Sequence, residues 1–237
     1  MSHRREQKEA LRRERERREA EARTAQQRKR LVGIGGAVVI AVVAIAILVV
    51  VSGGGGGDDP KSAGNNFPTG GSIPEQKVFD LSQAAAAAGC ELKSNKGTSR
   101  GHLQDPNQKV NYPQNPPTSG KHFAVPAEDG LYNGAAPQDT ALAHALEHGR
   151  VIIWAKPTLP LEARQKIRAL FDEDNYQIIV VKRPNMPDAV AATAWNHDPS
   201  PNGTGRLMGC PKWSDDVIDA LRAFRDEHRS NGPEDVP

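Results

Sequence analysis

The sequence predicts an α+β domain, a small mixed sheet with one βαβ crossover and flanking helices, carried behind a single transmembrane helix. Three observations predict it. Leu31–Val51 is an uninterrupted apolar run of bilayer-spanning length. Two short apolar runs, Val151–Trp154 and Gln177–Val181, flank a stretch of helical apolar period, the order of a parallel βαβ unit. Outside these, helical segments stop at glycines and a long Gly/Pro/Asn-rich stretch separates them, which is the pattern of a mixed domain.

Residues 1–30 hold twelve Lys/Arg against six Glu, a net +6, so the remainder carries a net −4 within an overall +2. This segment reads as a charged cytoplasmic juxtamembrane helix, polar on all sides and attracted to anionic lipid. It has neither the aromatics nor the reading fold of a nucleic-acid binder, and nucleic acid is excluded as a partner. The 21 residues of Leu31–Val51 extend roughly 31 Å as a helix, the hydrocarbon thickness of a bilayer. The core is too long and the basic leader too extended for a cleaved signal peptide. Positive charge before the span and Asp58 and Asp59 after it orient the N-terminus to the cytoplasm and the rest outward. The expected location is the cell membrane, single-pass, with membrane lipid as partner; the sequence names no protein partner at the envelope. Residues 52–72 read as a Gly-rich linker, and residues 73–237 as the exported α+β domain, long enough for one core.

Within that domain, Asp80-Leu-Ser-Gln83 opens a helix of about 80–88, with Gly89 at its C-terminus and Cys90 just beyond. Glu91–Gly134 shows no apolar period and is expected to be a long loop region. Asp139 and Thr140 are plausible caps of a helix over 139–148 that Gly149 ends. A strand over Val151–Trp154, a helix over Pro160–Asp172 and a strand over Gln177–Val181 make the crossover. A weaker strand over Ala189–Trp195 and a helix over 214–228, capped at Ser214, complete the elements. Both cysteines, Cys90 and Cys210, lie in the exported part, where an even count predicts one disulfide; the CxxC spacing of a redox or zinc site is absent.

The chemistry concentrates in His144-Ala-Leu-Glu147-His148. Residues four apart project from one side of a helix, so both rings can reach one ion. The order HxxEH is that of the inverted zinc peptidases, with histidine ligands and a glutamate base. Here, however, the helix ends at once in Gly149, and Glu162 and Glu173 lie in the crossover helix with no evident way back as a third ligand. Glu147 points about 100° from His148 on an ideal helix. It is the base if the chain is a hydrolase, and otherwise a ligand or a group orienting a ring. His102 and His122, on glycine-flanked loops, complete a first shell of His102, His122, His144 and His148 for zinc or copper. The competing reading is a structural hydrogen-bond network pinning the loop to the helix. His197 reads as surface or supporting, and Tyr112 and Trp195 as core or pocket wall. Ser119 is a turn residue, while His3 and His228 have no role.

The arrangement of Gly101-His102, Pro116-Pro-Thr-Ser-Gly120 with His122, Gly130-Leu-Tyr132, His144–Gly149 and Ala194-Trp195 resembles domain of unknown function 3105. That family is common in actinobacterial membrane proteins, and the resemblance covers most of residues 79–237. It implies an anchored, exported domain and supplies no reaction. Asn196-His197 follows the tryptophan where a glycine is common. The expected function is therefore an anchored extracytoplasmic protein whose histidine cluster binds a transition metal. The alternatives are a metal-dependent hydrolase and a metal-free envelope interaction module.

Overall fold

A computed structural model describes residues 66–105 and 107–234. The charged segment 1–30, the apolar span 31–51 and all but the end of the 52–72 linker lie outside the described residues. Among the described residues no helix is long and apolar enough to cross a membrane.

Four helices and eight strands are formed by these residues: α1 (Leu81–Ala87), β1 (Glu91–Lys96), β2 (His102–Leu103), β3 (His122–Phe123), β4 (Gly130–Leu131), α2 (Asp139–Glu147), β5 (Val151–Ala155), α3 (Leu161–Glu173), β6 (Ile178–Lys182), β7 (Val190–Asn196), β8 (Thr204–Cys210) and α4 (Asp216–His228). Six strands form one mixed sheet in the order β1-β8-β7-β5-β6-β4. β5 and β6 are parallel neighbours joined through α3, as the crossover requires, while β7, β8 and β1 follow antiparallel. β2 and β3 form a separate parallel pair.

Successive side chains of a strand face opposite ways, and β5 shows the consequence. Val151, Ile153 and Ala155 enter one core with Ile167, Leu170, Val217, Leu221 and Phe224 of α3 and α4. Ile152 and Trp154 enter the other, with Leu142, Ala145 and Leu146 of α2. Every residue of β5 is buried, which is why its sequence is continuously apolar rather than alternating. Each large side chain so buried stabilises by roughly 1.5–3 kcal/mol. The sheet thus has helices over both faces, and α2 brings the HxxEH motif to one of them.

Two helices end by the same device. The amide of Gly89 donates to Ala86 O and that of Cys90 to Ala85 O; the amides of Gly149 and Arg150 do the same toward Leu146 and Ala145. Both glycines have positive φ, +65° and +79°, the conformation that closes a helix through its last free carbonyls. The first closure sets Cys90 at the head of β1, beside the end of β8, and Cys90 and Cys210 form the expected disulfide.

Several expectations need correction. Asp80 does cap α1, accepting from the Gln83 amide at 2.9 Å. Asp139 and Thr140 do not cap α2: the cap position is Gln138, and Asp139 is instead clamped by both terminal nitrogens of Arg183. Ser214 does not cap α4 through its side chain; Asp215 holds that position, and the buried Ser214 hydroxyl has no hydrogen-bond partner. The stretch expected to be loop contains β1 to β4. β1 is polar and largely exposed because it is the sheet edge and pairs only with β8. β8 has no counterpart among the expected elements, since two glycines interrupt its pattern. A Cβ on Gly205 would lie 2.3 Å from Thr118 Oγ1, and one on Gly209 2.5 Å from Asp188 Oδ2, so loops crossing the strand demand those glycines.

Packing also begins before the expected boundary at residue 73. Phe67 is 1% exposed within the larger core. Its amide donates to Asn133 Oδ1 at 2.8 Å, and Gln165 Nε2 donates to Thr69 O. One aromatic residue in a Gly/Asn/Pro-rich stretch finds a pocket there.

Candidate metal centre

The pairing of β2 with β3 sets His102 and His122 directly opposite each other. α2 packs on β3 and supplies His144 and Glu147, one turn apart. The three rings converge with centroids 4.6 Å (His102–His122), 4.6 Å (His122–His144) and 4.9 Å (His102–His144) apart. His122, His144 and Glu147 are buried, whereas His102 is exposed and opens one side to solvent. Trp195, held by donation of its indole N–H to Asn202 O, stands edge-on to His122 at 6.0 Å as a wall.

The backbone fixes the protonation pattern of two rings. His122 Nδ1 lies 2.8 Å from Gly120 O, and His144 Nδ1 lies 2.7 Å from Phe123 O. A carbonyl oxygen only accepts, so each Nδ1 carries a proton, and Nε2 is the ring atom left facing the other donors. Gly120 can supply that carbonyl because its φ of +130° is open to glycine; a Cβ there would meet Thr98 Oγ1 and the Tyr112 ring at 3.2 Å. Tyr112 is itself fixed through donation of its hydroxyl to Lys121 O.

Glu147 completes the group. Its Oε1 accepts from Arg100 Nε at 2.6 Å. Its Oε2 lies 2.9 Å from His122 Nε2, yet neither atom has the alignment of a hydrogen bond, and both are buried without another partner. A carboxylate oxygen facing an imidazole lone pair is a repulsive contact until a proton or a cation lies between them. Burial alone would raise the Glu147 carboxyl, but His122 and Arg100 beside it outweigh that and bring it down to about 2. Burial lowers His144 to about 4, with the neighbouring His122 ring adding to the effect and the Phe123 carbonyl opposing it. The ring is therefore neutral at physiological pH.

One ligand atom from each of His102, His122, His144 and Glu147 lies within 4.8 Å of all the others. Four donors on a tetrahedral ion with ~2.0–2.1 Å bonds stand about 3.4 Å apart, so small side-chain movements would close the set. Three imidazoles and one carboxylate suit Zn²⁺ or Cu²⁺. Carbonyl-held Nδ1 protons and an arginine-held carboxylate are the supports that orient ligands in such sites.

Of the residues expected from the sequence, His102, His122 and His144 meet in this group. His148 stands beside it, its ring 4.4 Å from His144, but it caps α2 and turns toward Glu234. Glu147 takes its place because residues three apart, here 144 and 147, also share a helix face. His197 is half exposed and pairs with Asp198, and His228 packs on Phe224 in the core. Met186 and Met208 enter different cores. Glu162 pairs with Lys166, and Glu173 with Arg222 and Arg225, away from the site. Arg100 and Glu234 were not singled out. Arg100 adjoins Gly101-His102, the one signal that marks it, while nothing in the spacing marks Glu234.

The sequence model of the family described as "Protein of unknown function (DUF3105)" matches residues 103–236. The chain belongs to the DUF3105 family. The DUF3105 match contains His122, His144, Glu147, His148 and Glu234, and begins one residue after His102. No curated protein and no solved structure matches the chain.

Proposed function

We propose that this chain is a single-pass, membrane-anchored protein whose exported domain binds one transition-metal ion, Zn²⁺ or Cu²⁺, through His102, His122, His144 and Glu147. The observation that carries the reading is the buried 2.9 Å approach of His122 Nε2 and Glu147 Oε2, two atoms without a hydrogen-bond partner, beside the lone pair of His144. A cation among them turns the repulsion into coordination. The Cys90–Cys210 disulfide supports an oxidising compartment, and the apolar run Leu31–Val51 with its basic leader supports the anchor and its orientation.

A hydrolase needs a base whose pKa lies near the working pH. Glu147, ion-paired with Arg100 and held to about 2, is too weak a base. The geometry favours Glu147 as a ligand, and binding is the better-supported class. Elemental analysis of the purified full-length chain tests the reading. One ion per chain is expected in the wild type and a large loss in His144→Ala and His122→Gln. Metal-free wild type, or equal metal in the variants, would overturn it.

A further inference from the structure

A second donor group lies beside the first. One ligand atom from each of His144, His148 and Glu234 also falls within 4.8 Å of the other two. His144 and His148 are four residues apart, with rings 4.4 Å apart and nearly perpendicular. Glu234 comes from the far end of the chain, on a segment docked against the end of α2. The Ser230 amide donates to Gly149 O at 2.9 Å, and the Glu234 amide donates to Glu147 O at 3.1 Å. Between them Gly232 passes so close that a Cβ would lie 2.2 Å from Glu147 O. These contacts bring Glu234 Oε2 to 3.3 Å from His148 Nε2.

The end of α2 uses the amides of Gly149, Arg150 and Glu234, on Leu146 O, Ala145 O and Glu147 O, and does not require the Glu234 carboxylate. Two imidazoles and one carboxylate are nonetheless a complete protein ligand set for zinc that leaves a position open.

Resting on the metal reading above, we propose that His144, His148 and Glu234 form a second position for the ion, exclusive with the first. Exclusivity follows from His144. Its Nδ1 proton is held by Phe123 O, so Nε2 offers one lone pair, and one lone pair serves one ion. The first position has four donors; the second has three and faces solvent through Glu234, leaving room for water or an exchanging ligand. An ion there ties the C-terminal segment to α2, so occupancy of the second position is coupled to that segment's order.

The test titrates Zn²⁺ against a chelator in the full chain. In the background His102→Ala with Glu147→Gln, which weakens the first position, zinc still binds. Adding Glu234→Gln, which removes one of three ligands, then lowers the affinity by at least the roughly tenfold to hundredfold that loss of a group supporting a ligand costs. In the background alone, zinc slows hydrogen exchange at the Ser230 and Glu234 amides. Should the double background melt, His102→Ala alone, at an exposed side chain, is read by hydrogen exchange instead: zinc slows the Ser230 amide, and Glu234→Gln abolishes that slowing. Zinc binding absent from the background, or unchanged by Glu234→Gln, overturns the second position only. A wild-type chain that takes up no zinc overturns the metal reading itself.

Discussion

Glu147→Gln separates a metal site from a structural ion pair. In the metal-free protein the glutamine keeps Oε1 on Arg100 Nε and turns an N–H toward His122 Nε2, where the carboxylate presents a second acceptor. The bond from Arg100 changes from charge-assisted, about 1.5–3 kcal/mol, to neutral, about 0.5–1.5 kcal/mol, and the Arg100 side chain, 38% exposed, reduces that loss further. Against it stands one new hydrogen bond of about 0.5–1.5 kcal/mol at an atom that lacked a partner. The two nearly cancel, so the apo protein should melt within about 4 °C of the wild type. With zinc the variants part. At free zinc about a thousandfold above the wild-type Kd, linkage stabilises by about 4 kcal/mol. A hundredfold weaker site retains about 1.4 kcal/mol, and the zinc-induced rise in Tm falls from about 10 °C to about 4 °C. Thermal melts by circular dichroism, with and without zinc, read both quantities. If His122 instead carries a second proton, the substitution breaks a buried ion pair at a cost of about 3–5 kcal/mol. An apo Tm lowered by about 10 °C, with no zinc shift in either protein, would refute the metal reasoning.

Other predictions concern the scaffold. Burial holds His228 at about 4, with Arg206 adding to the effect, so its folded value lies below the unfolded 6.5. The unfolded chain then binds more protons between pH 6.5 and 4, and stability is full above pH 6.5 and declines as pH falls through that window, by about 3 kcal/mol. His228→Gln should flatten that decline in urea titrations, leaving the share due to His144, which titrates in the same range; an unchanged acid limb would sink the assignment. Phe67→Ala should destabilise by about 3 kcal/mol if the end of the tether belongs to the core. An effect under about 1 kcal/mol would restore residue 73 as the boundary. Reduction of Cys90–Cys210, which closes a separation of 120 residues, should lower unfolding free energy by about 4–5 kcal/mol in the chain-entropy account. Denaturant melts with and without reductant measure it, and coincident curves would refute it.

Elements that bury a whole face announced themselves. β5 is apolar along its length and β6 up to Lys182, α3 and α4 carry the helical period, and Gly89 and Gly149 end α1 and α2 as their positions predict. The elements that went unseen are those whose residues answer to something distant. β1 is polar because it is an edge, and β8 carries glycines because Thr118 and Asp188 cross it. One cap failed for the same reason: Asp139 is taken by Arg183, forty-four residues away.

For the candidate site, the sequence alone supplied the donor types and a short list of histidines, since few side chains offer a neutral nitrogen and four of the seven histidines fall close together. It also determined the paired cysteines and the apolar run before the domain, both of which depend on composition. Tertiary structure decided which donors meet. His102 and His122 are opposed by strand register, Glu147 rather than His148 faces them from α2, and the chain's last segment returns Glu234 to the motif. A ligand set is fixed by where lone pairs point. Here that direction is set by the carbonyls of Gly120 and Phe123, which spacing along the chain does not encode.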